Sequence, residues 1–450
     1  MSISQLRAAA LKSALPVKLR TERLLQLRSL LQEKQEKIVA ALEKDLGKCA
    51  FESWVSEIGF LRDEIAHFLA DIPALVVPQK VATPMTLQPG KSAIHKEPFG
   101  VVLVMAPWNY PVQLAISPLI GAIAAGNRVV VKPSELAPNC AVIIEEILTQ
   151  VFSADEVLVV QGGVAETQAL LKEKFDYIFF TGSTQVGKVV MRAAAEHLTP
   201  VTLELGGKSP CLVDKSAPLA QTARRIAWGK WLNAGQTCVA PDYVLVPRAQ
   251  HDEFVRELQA AVTQFYGSHP QQSPDYGRIV NERHFDRLVN LMKDTKPAIG
   301  GQSDRAEKFI APTVITNVSW EHPLMQEEIF GPLLPILTYD SIDEAIQLIK
   351  ARPKPLAFYL FSTNSVIQER VLEQVPFGGG CVNDTIVHLA NSRLPFGGVG
   401  ESGMGAYHGT LSFDTFSHKK SVFHQTTLVD VPLRYPPYKG KEGLLKFLVG

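Results

Sequence analysis

The sequence predicts an α/β fold built around a doubly wound parallel sheet, and three observations lead there. The chain has 450 residues, which at roughly 100–200 residues per domain makes two or three domains with sizeable cores. From Val101 onward, short β-rich runs alternate with longer helical stretches, the pattern of a parallel sheet covered on both faces. The composition is that of an ordinary globular chain, 46% hydrophobic and 20% charged, neither disordered nor fibrous.

The elements follow in order. Leu24, Leu27, Leu31, Ile38 and Leu42 recur at helical spacing among Arg, Lys and Glu, and a second apolar-periodic stretch runs from Trp54 to Leu69, so a helical scaffold precedes the sheet. Strands are expected at 101–106, 128–132, 157–161, 177–181 and 201–205, separated by helices near 112–125, 138–150, 164–172 and 185–197. A second α/β series starts after Gly207, with strands near 211–213 and 243–246 and a helix between them. From Phe377 the chain is glycine-rich, and 431–440 is dense in Pro and Tyr, which reads as an extended arm making an oligomer contact.

Several classes of function are disfavoured. Forty-five Lys+Arg balance forty-five Asp+Glu, so there is no electrostatic footprint for nucleic acid. Cys49, Cys140, Cys211, Cys238 and Cys381 form no Cys-x-x-Cys pair, and an odd, scattered set fits a reducing compartment. The uncharged run 98–127 is interrupted by Pro107, Pro111, Pro118, Asn109 and Gln113, so it reads as a buried strand and helix rather than a membrane span. No secretory signal is recognised at the start; Arg7, Lys12, Lys18 and Arg20 without an acidic partner faintly resemble a transit peptide, but a first helix accounts for them. The apolar run 443–450 is too short for a bilayer, so no transmembrane anchor is expected. Eleven histidines show no metal-ligand spacing, and no metal is expected.

In an open parallel sheet, ligands sit beyond the carboxyl ends of the strands, and those positions are rich in chemistry. They read Pro107-Trp108-Asn109-Tyr110-Pro111, Lys132-Pro133-Ser134-Glu135, Gly162-Gly163, Gly182-Ser183-Thr184-Gln185-Val186-Gly187 and Glu204-Leu205-Gly206-Gly207. The turn from Gly182 to Gly187 lets backbone approach a pyrophosphate at a helix start, although a tight strand-to-helix turn would look the same. A carboxylate at Glu135 suits ribose hydroxyls, with Lys132 beside it; a solvated surface pair is the alternative, and the two features together favour a nucleotide. Cys238 stands in Gly235-Gln236-Thr237-Cys238-Val239-Ala240-Pro241, a turn that leaves its thiol and backbone N–H free to face a cleft, as a nucleophile requires. The other four cysteines lack such a setting.

Taken together, these strings resemble the aldehyde dehydrogenase superfamily. Asn109, Lys132, Glu135, 182–187, 204–207, Cys238 and Glu328-Ile329-Phe330-Gly331-Pro332 match in order over nearly the whole chain. The resemblance is greatest to class 3, the fatty and aromatic aldehyde dehydrogenases, through 206–214, 235–243, 394–409 and 412–418. It implies an NAD(P)-binding domain (1–77 and 99–206), a catalytic domain (207–385) and an oligomerisation arm (78–98 and 386–450). It also implies NAD or NADP as cofactor, an aldehyde as substrate, a homodimer, and a cytoplasmic enzyme that leaves peripheral membrane contact open. Residue by residue, it gives Cys238 as nucleophile, Asn109 as oxyanion donor and Glu204 as general base. Trp108, Gly182, Ser183, Gly187, Leu205, Glu328 and Phe330 join Lys132 and Glu135 as cofactor contacts. Phe60, Tyr110, Trp231, Ile386 and His408 become candidates for the substrate tunnel. Their apolar weight suits medium- or long-chain aliphatic, isoprenoid or aromatic aldehydes, though each equally fits a core position. Two other readings are an acylating relative that passes the thioester to coenzyme A, disfavoured by Glu204, and a silent binding protein on the same fold, disfavoured by retention of Cys238, Glu204 and Asn109.

Overall fold

The computed structural model describes residues 3–430, 432–441 and 443. An N-terminal helical layer, Val17–Glu33, Gln35–Leu46 and Phe60–Leu75, leads into two antiparallel strands, β1 (Gln79–Val81) and β2 (Lys91–Pro98). The periodic stretch expected from Trp54 is not one α-helix. Its first turn, Trp54–Gly59, is π-helical and the α-helix proper begins at Phe60.

The first sheet contains β3 (Val101–Met105), β4 (Arg128–Lys132), β5 (Val157–Val159), β6 (Tyr177–Thr181) and β7 (Val201–Glu204), each within two residues of the expected bounds. Their order is β7-β6-β3-β4-β5, all parallel, and the two-residue strand Gly403–Met404 adds antiparallel to β7. The chain thus winds outward from β3 to β5, then returns to the other side of β3 with β6 and β7. That reversal opens a crevice at the carboxyl ends of β3 and β6. Strands β3, β4 and β6 are buried along their whole length, as helices on both faces require. The uncharged run is β3 followed by the helix Pro111–Ala125, every residue of which is buried.

The second sheet holds β8 (Pro210–Val213) and β9 (Tyr243–Pro247), flanked by Leu333–Tyr339 and Thr313–Ile315 on one side and Ala357–Phe361 and Gly379–Val382 on the other, all parallel. Pro297–Ile299 closes one edge antiparallel. A third sheet joins β1 and β2 to Ser417–His424, which pairs antiparallel with β2 over eight residues. Within 431–440, expected to be an arm, the described part carries one 3-10 turn, Pro432–Arg434; the apolar run beyond Gly443 lies outside the described residues. Among the described residues, no helix is long and apolar enough to cross a membrane.

Candidate active site

The crevice at the switch point opens into a cleft of about 470 Å³ lined by Trp108, Asn109, Gly182, Ser183, Glu204, Leu205, Cys238, Glu328 and Phe330, among others. Three of these come from three separate connections. Asn109 follows β3, Glu204 is the last residue of β7, and Cys238 lies in the turn after the helix Leu219–Trp231. That turn is backbone-strained: Asn233, Ala234 and Gly235 all take positive φ, at 51°, 52° and 74°. Conformations of this kind persist only where surroundings hold them, and here the bonds are explicit. Asn109 Nδ2 donates to the Gln236 carbonyl at 3.0 Å, Asn233 Nδ2 donates to the Asn109 carbonyl at 2.9 Å, and Tyr110 and Thr237 hydroxyls meet at 2.7 Å. A Cβ on Gly235 would lie 2.3 Å from the Gly331 carbonyl oxygen, so the Cys238 turn and the loop carrying Glu328 and Phe330 touch backbone to backbone.

The electrostatics of the cleft are those of a buried site with carboxyl groups. Desolvation raises the Cys238 thiol to about 12, with the charges of Glu328 and Glu204 pushing the same way and its own N–H and that of Val239 opposing. Burial alone raises Glu204 well above the ordinary carboxylate range, and neither of its oxygens has a hydrogen-bond partner. Glu328 is raised to about 8 by burial and by Asp242, against the Gly207 N–H, Lys208 and Arg287. Trp108 forms one wall, with Phe330 edge-on at 5.2 Å and His284 at 5.1 Å. Burial, with Arg287 and Arg283 nearby, lowers His284 to about 4, so its ring is neutral near pH 7.

The sequence reading missed the residues that fix the Glu328 loop. Lys208 Nζ bonds Asp242 Oδ2 and the Leu324 carbonyl, both at 2.6 Å, and the Glu327 carbonyl at 3.0 Å; Asp242 Oδ1 accepts the Ile329 N–H at 2.9 Å. Lys208 and Asp242 lie inside the strings 206–214 and 235–243, and that was the one available signal. Other expected site residues lie away from the wall of this cleft. Gly187 is buried inside the helix Thr184–Ala195, where an added Cβ would lie 2.7 Å from Leu205 Cδ2; it permits helix–strand packing and does not line the cleft. Lys132 and Glu135 also stand off the cleft wall, at the end of β4, where Lys132 Nζ bonds the Pro133 carbonyl at 3.1 Å and Glu135 Oε2 at 3.3 Å. Trp231 is a fully buried core residue whose Nε1 donates to the Pro332 carbonyl at 2.9 Å. Tyr110, Ile386 and His408 are buried too, and Phe60 packs on His408 at 5.6 Å. None of the five tunnel candidates lines this cleft.

The residues present fit a dinucleotide. The N-terminal turn of the helix Thr184–Ala195, capped by Ser183, lines the cleft and suits a pyrophosphate. Gly206 lets the Glu328 carboxyl close onto the turn after β7 at the edge of the cleft, since a Cβ there would fall 2.1 Å from Glu328 Oε2. Asn109 Oδ1 and both Glu204 oxygens are buried without partners, acceptors that a polar ligand or water satisfies.

Residues 5–422 match the model of the aldehyde dehydrogenase family. The chain belongs to that family. This aldehyde dehydrogenase is 49% identical over 432 residues to 4,4'-diaponeurosporen-aldehyde dehydrogenase of Staphylococcus aureus (strain NCTC 8325 / PS 47), covering 96% of this chain and 94% of that protein. It is 50% identical over 429 residues to human aldehyde dehydrogenase family 3 member B1, covering 94% and 91%. Among solved structures, the substrate-bound state of Staphylococcus aureus AldH superposes with a TM-score of 0.98 at 47% identity and full coverage of both chains. An indole-3-acetaldehyde dehydrogenase complexed with NAD+ gives 0.86 at 28% identity, covering 94% of this chain and 88% of that one. The similarity to class 3 holds, and this aldehyde dehydrogenase is an oxidoreductase that oxidises aldehydes with NAD or NADP.

Proposed function

We propose that the enzyme carries out its oxidation through Cys238, Asn109 and Glu204, on medium- or long-chain aliphatic, isoprenoid or aromatic aldehydes. One observation carries the reading: a thiol, an amide and a partnerless carboxyl group, delivered by three separate connections, line one cleft. Cys238 Sγ attacks the aldehyde carbon to give a thiohemiacetal, and the Asn109 amide and Cys238 N–H donate to its oxygen. Bound NAD or NADP supplies the hydride acceptor. The acyl group then left on Cys238 Sγ is released by a water that gives its proton to Glu204. Glu328 and Phe330, with Trp108 opposite, hold the nicotinamide end, and Ser183 and the helix behind it hold the phosphates.

The named activity of the staphylococcal relative toward an isoprenoid aldehyde supports the substrate class. The division of labour is 1–77 with 99–206 for the cofactor, 207–385 for the nucleophile, and 78–98 with 386–450 as a bridging arm in a homodimer. The enzyme is assigned to the cytoplasm on its five free cysteines, with peripheral membrane contact as an accessory property.

Cys238→Ala tests the assignment. NAD(P)H production is expected to vanish while cofactor affinity stays near wild type, with Cys211→Ala remaining active as the control. Turnover persisting in purified Cys238→Ala removes Cys238 as nucleophile. A panel of aldehydes of increasing chain length, ranked by kcat/KM, checks the substrate class; a preference for two- or three-carbon aldehydes would overturn it.

A further inference from the structure

The Asn109 main-chain carbonyl is held from behind by a group outside the cleft. Gly47 ends the helix Gln35–Leu46 in the left-handed conformation, φ 60°, and the chain turns inward so that the Lys48 side chain is fully buried. Glu57, equally buried, projects from the π-helical turn Trp54–Gly59, and its Oε1 lies 2.6 Å from Lys48 Nζ. Its other oxygen, Oε2, accepts the Val112 N–H at 2.9 Å and the Gln113 N–H at 3.0 Å, closing the start of the helix that follows Asn109. Lys48 Nζ also donates to the Asn109 carbonyl at 3.2 Å, the carbonyl that Asn233 Nδ2 reaches at 2.9 Å, and it sits 4.1 Å from the centre of the Tyr110 ring.

A carboxylate, a carbonyl and an aromatic face therefore surround an ammonium that has three protons to place. Charge burial by itself is no reason for the pair, since well-packed apolar side chains commonly serve stability as well or better. What an apolar pair lacks is a donor to the backbone of residue 109. Two independent donors fix that peptide plane, one from the N-terminal helical layer and one from the nucleophile turn, and from the backbone so placed the Asn109 side chain reaches the Gln236 carbonyl that sets its direction.

We propose that Lys48 is a positioning residue for the oxyanion site: with Glu57 as counter-ion, it holds the Asn109 carbonyl and so aims the Asn109 amide at the oxygen that forms beside Cys238. This rests on the reading of Asn109 as oxyanion donor. Lys48→Met alone would strand the Glu57 charge, so the test uses Lys48→Met/Glu57→Gln, in which one amide oxygen still accepts both helix N–H groups. Lys48→Leu/Glu57→Gln replaces it should the first not fold. Rapid mixing of the full-length enzyme with NAD and aldehyde reads the rate of the first-turnover burst of NADH.

The expected result is a burst slowed on the order of tenfold or more, as small misplacements of catalytic groups commonly cause, with unchanged NAD affinity. In an Asn109→Ala background the pair of substitutions is expected to add nothing, because a residue that acts only through Asn109 has nothing left to aim. A full additional slowdown in that background, or an unchanged burst in the wild-type background, overturns the proposal while the Asn109 reading stands. An Asn109→Ala burst as fast as wild type overturns the reading itself.

Discussion

Glu204 enters the cleft as a buried carboxyl with no partner, held well above its ordinary pKa by desolvation. A base of raised pKa takes a proton from water more readily than an exposed carboxylate does, provided it is ionised when water arrives. Glu204→Gln keeps the shape and removes the base. The expected outcome in rapid mixing is a burst of reduced cofactor close to one equivalent per site, then a steady rate far below wild type, with acyl-enzyme visible by mass. Loss of the burst with cofactor still bound would move Glu204 to an earlier step, as the base for Cys238, whose thiol at about 12 has need of one. Unaffected steady turnover would give the water to another group. Asn109, Glu204 and Cys238 were legible because each ends a strand or opens a turn with an unusual string. Lys48 and Glu57 were not: a charged residue in a stretch of helical pattern reads as solvated surface, and only packing between distant elements buries it.

At the scale of elements, hydrophobic runs placed the five parallel strands of the first sheet within two residues of where they lie. The strand Gly403–Met404 was invisible, since two residues in a glycine-rich run carry no period; it is set by its partner Glu204-Leu203 on β7. Glycine function was legible only in part. Gly187 looked like a phosphate contact and is a packing residue. Gly206, read only as part of a string, is where two parts of the cleft wall meet closely: the turn after β7 and the Glu328 carboxyl. Gly206→Ala therefore pushes Glu328 off its site. The expected outcome is cofactor binding weakened on the order of tenfold, about 1.4 kcal/mol, with a burst of normal amplitude at saturating cofactor. Titration of the intrinsic fluorescence quenched at Trp108 measures it. Unchanged affinity would mean that Glu328 does not contact the cofactor.

At the scale of the whole molecule, the helices Val17–Glu33, Phe60–Leu75 and Pro111–Ala125 pack as one layer behind the first sheet, and that layer contains ionisable groups that couple its stability to pH. Glu64 is 4% exposed within it. Burial raises its carboxyl from 4.5 to about 8, opposed by the Ser117 hydroxyl on the facing helix. The folded state thus keeps a proton that the unfolded chain loses near pH 4.5. A group of this sign contributes its full stabilisation below the unfolded pKa and loses it as pH rises through the folded value, in total on the order of 4–5 kcal/mol. His388 and His408 act in the opposite direction: burial lowers them to about 4 and 3, so their contribution is present above about pH 6.5 and is lost as pH falls. In the wild-type profile the histidines cost stability in acid, and Glu64 costs it toward pH 8 together with the raised carboxyls Glu204 and Glu328. Glu64→Gln isolates one side, because a glutamine in the same place has no proton to lose. Urea midpoints of both proteins between pH 5 and pH 8.5, at constant ionic strength, are expected to diverge steadily in favour of the variant up to about pH 8 and to run parallel above it. A difference that stays constant across that window would mean Glu64 is already ionised in the folded enzyme, with a counter-charge in the helical layer to hold it.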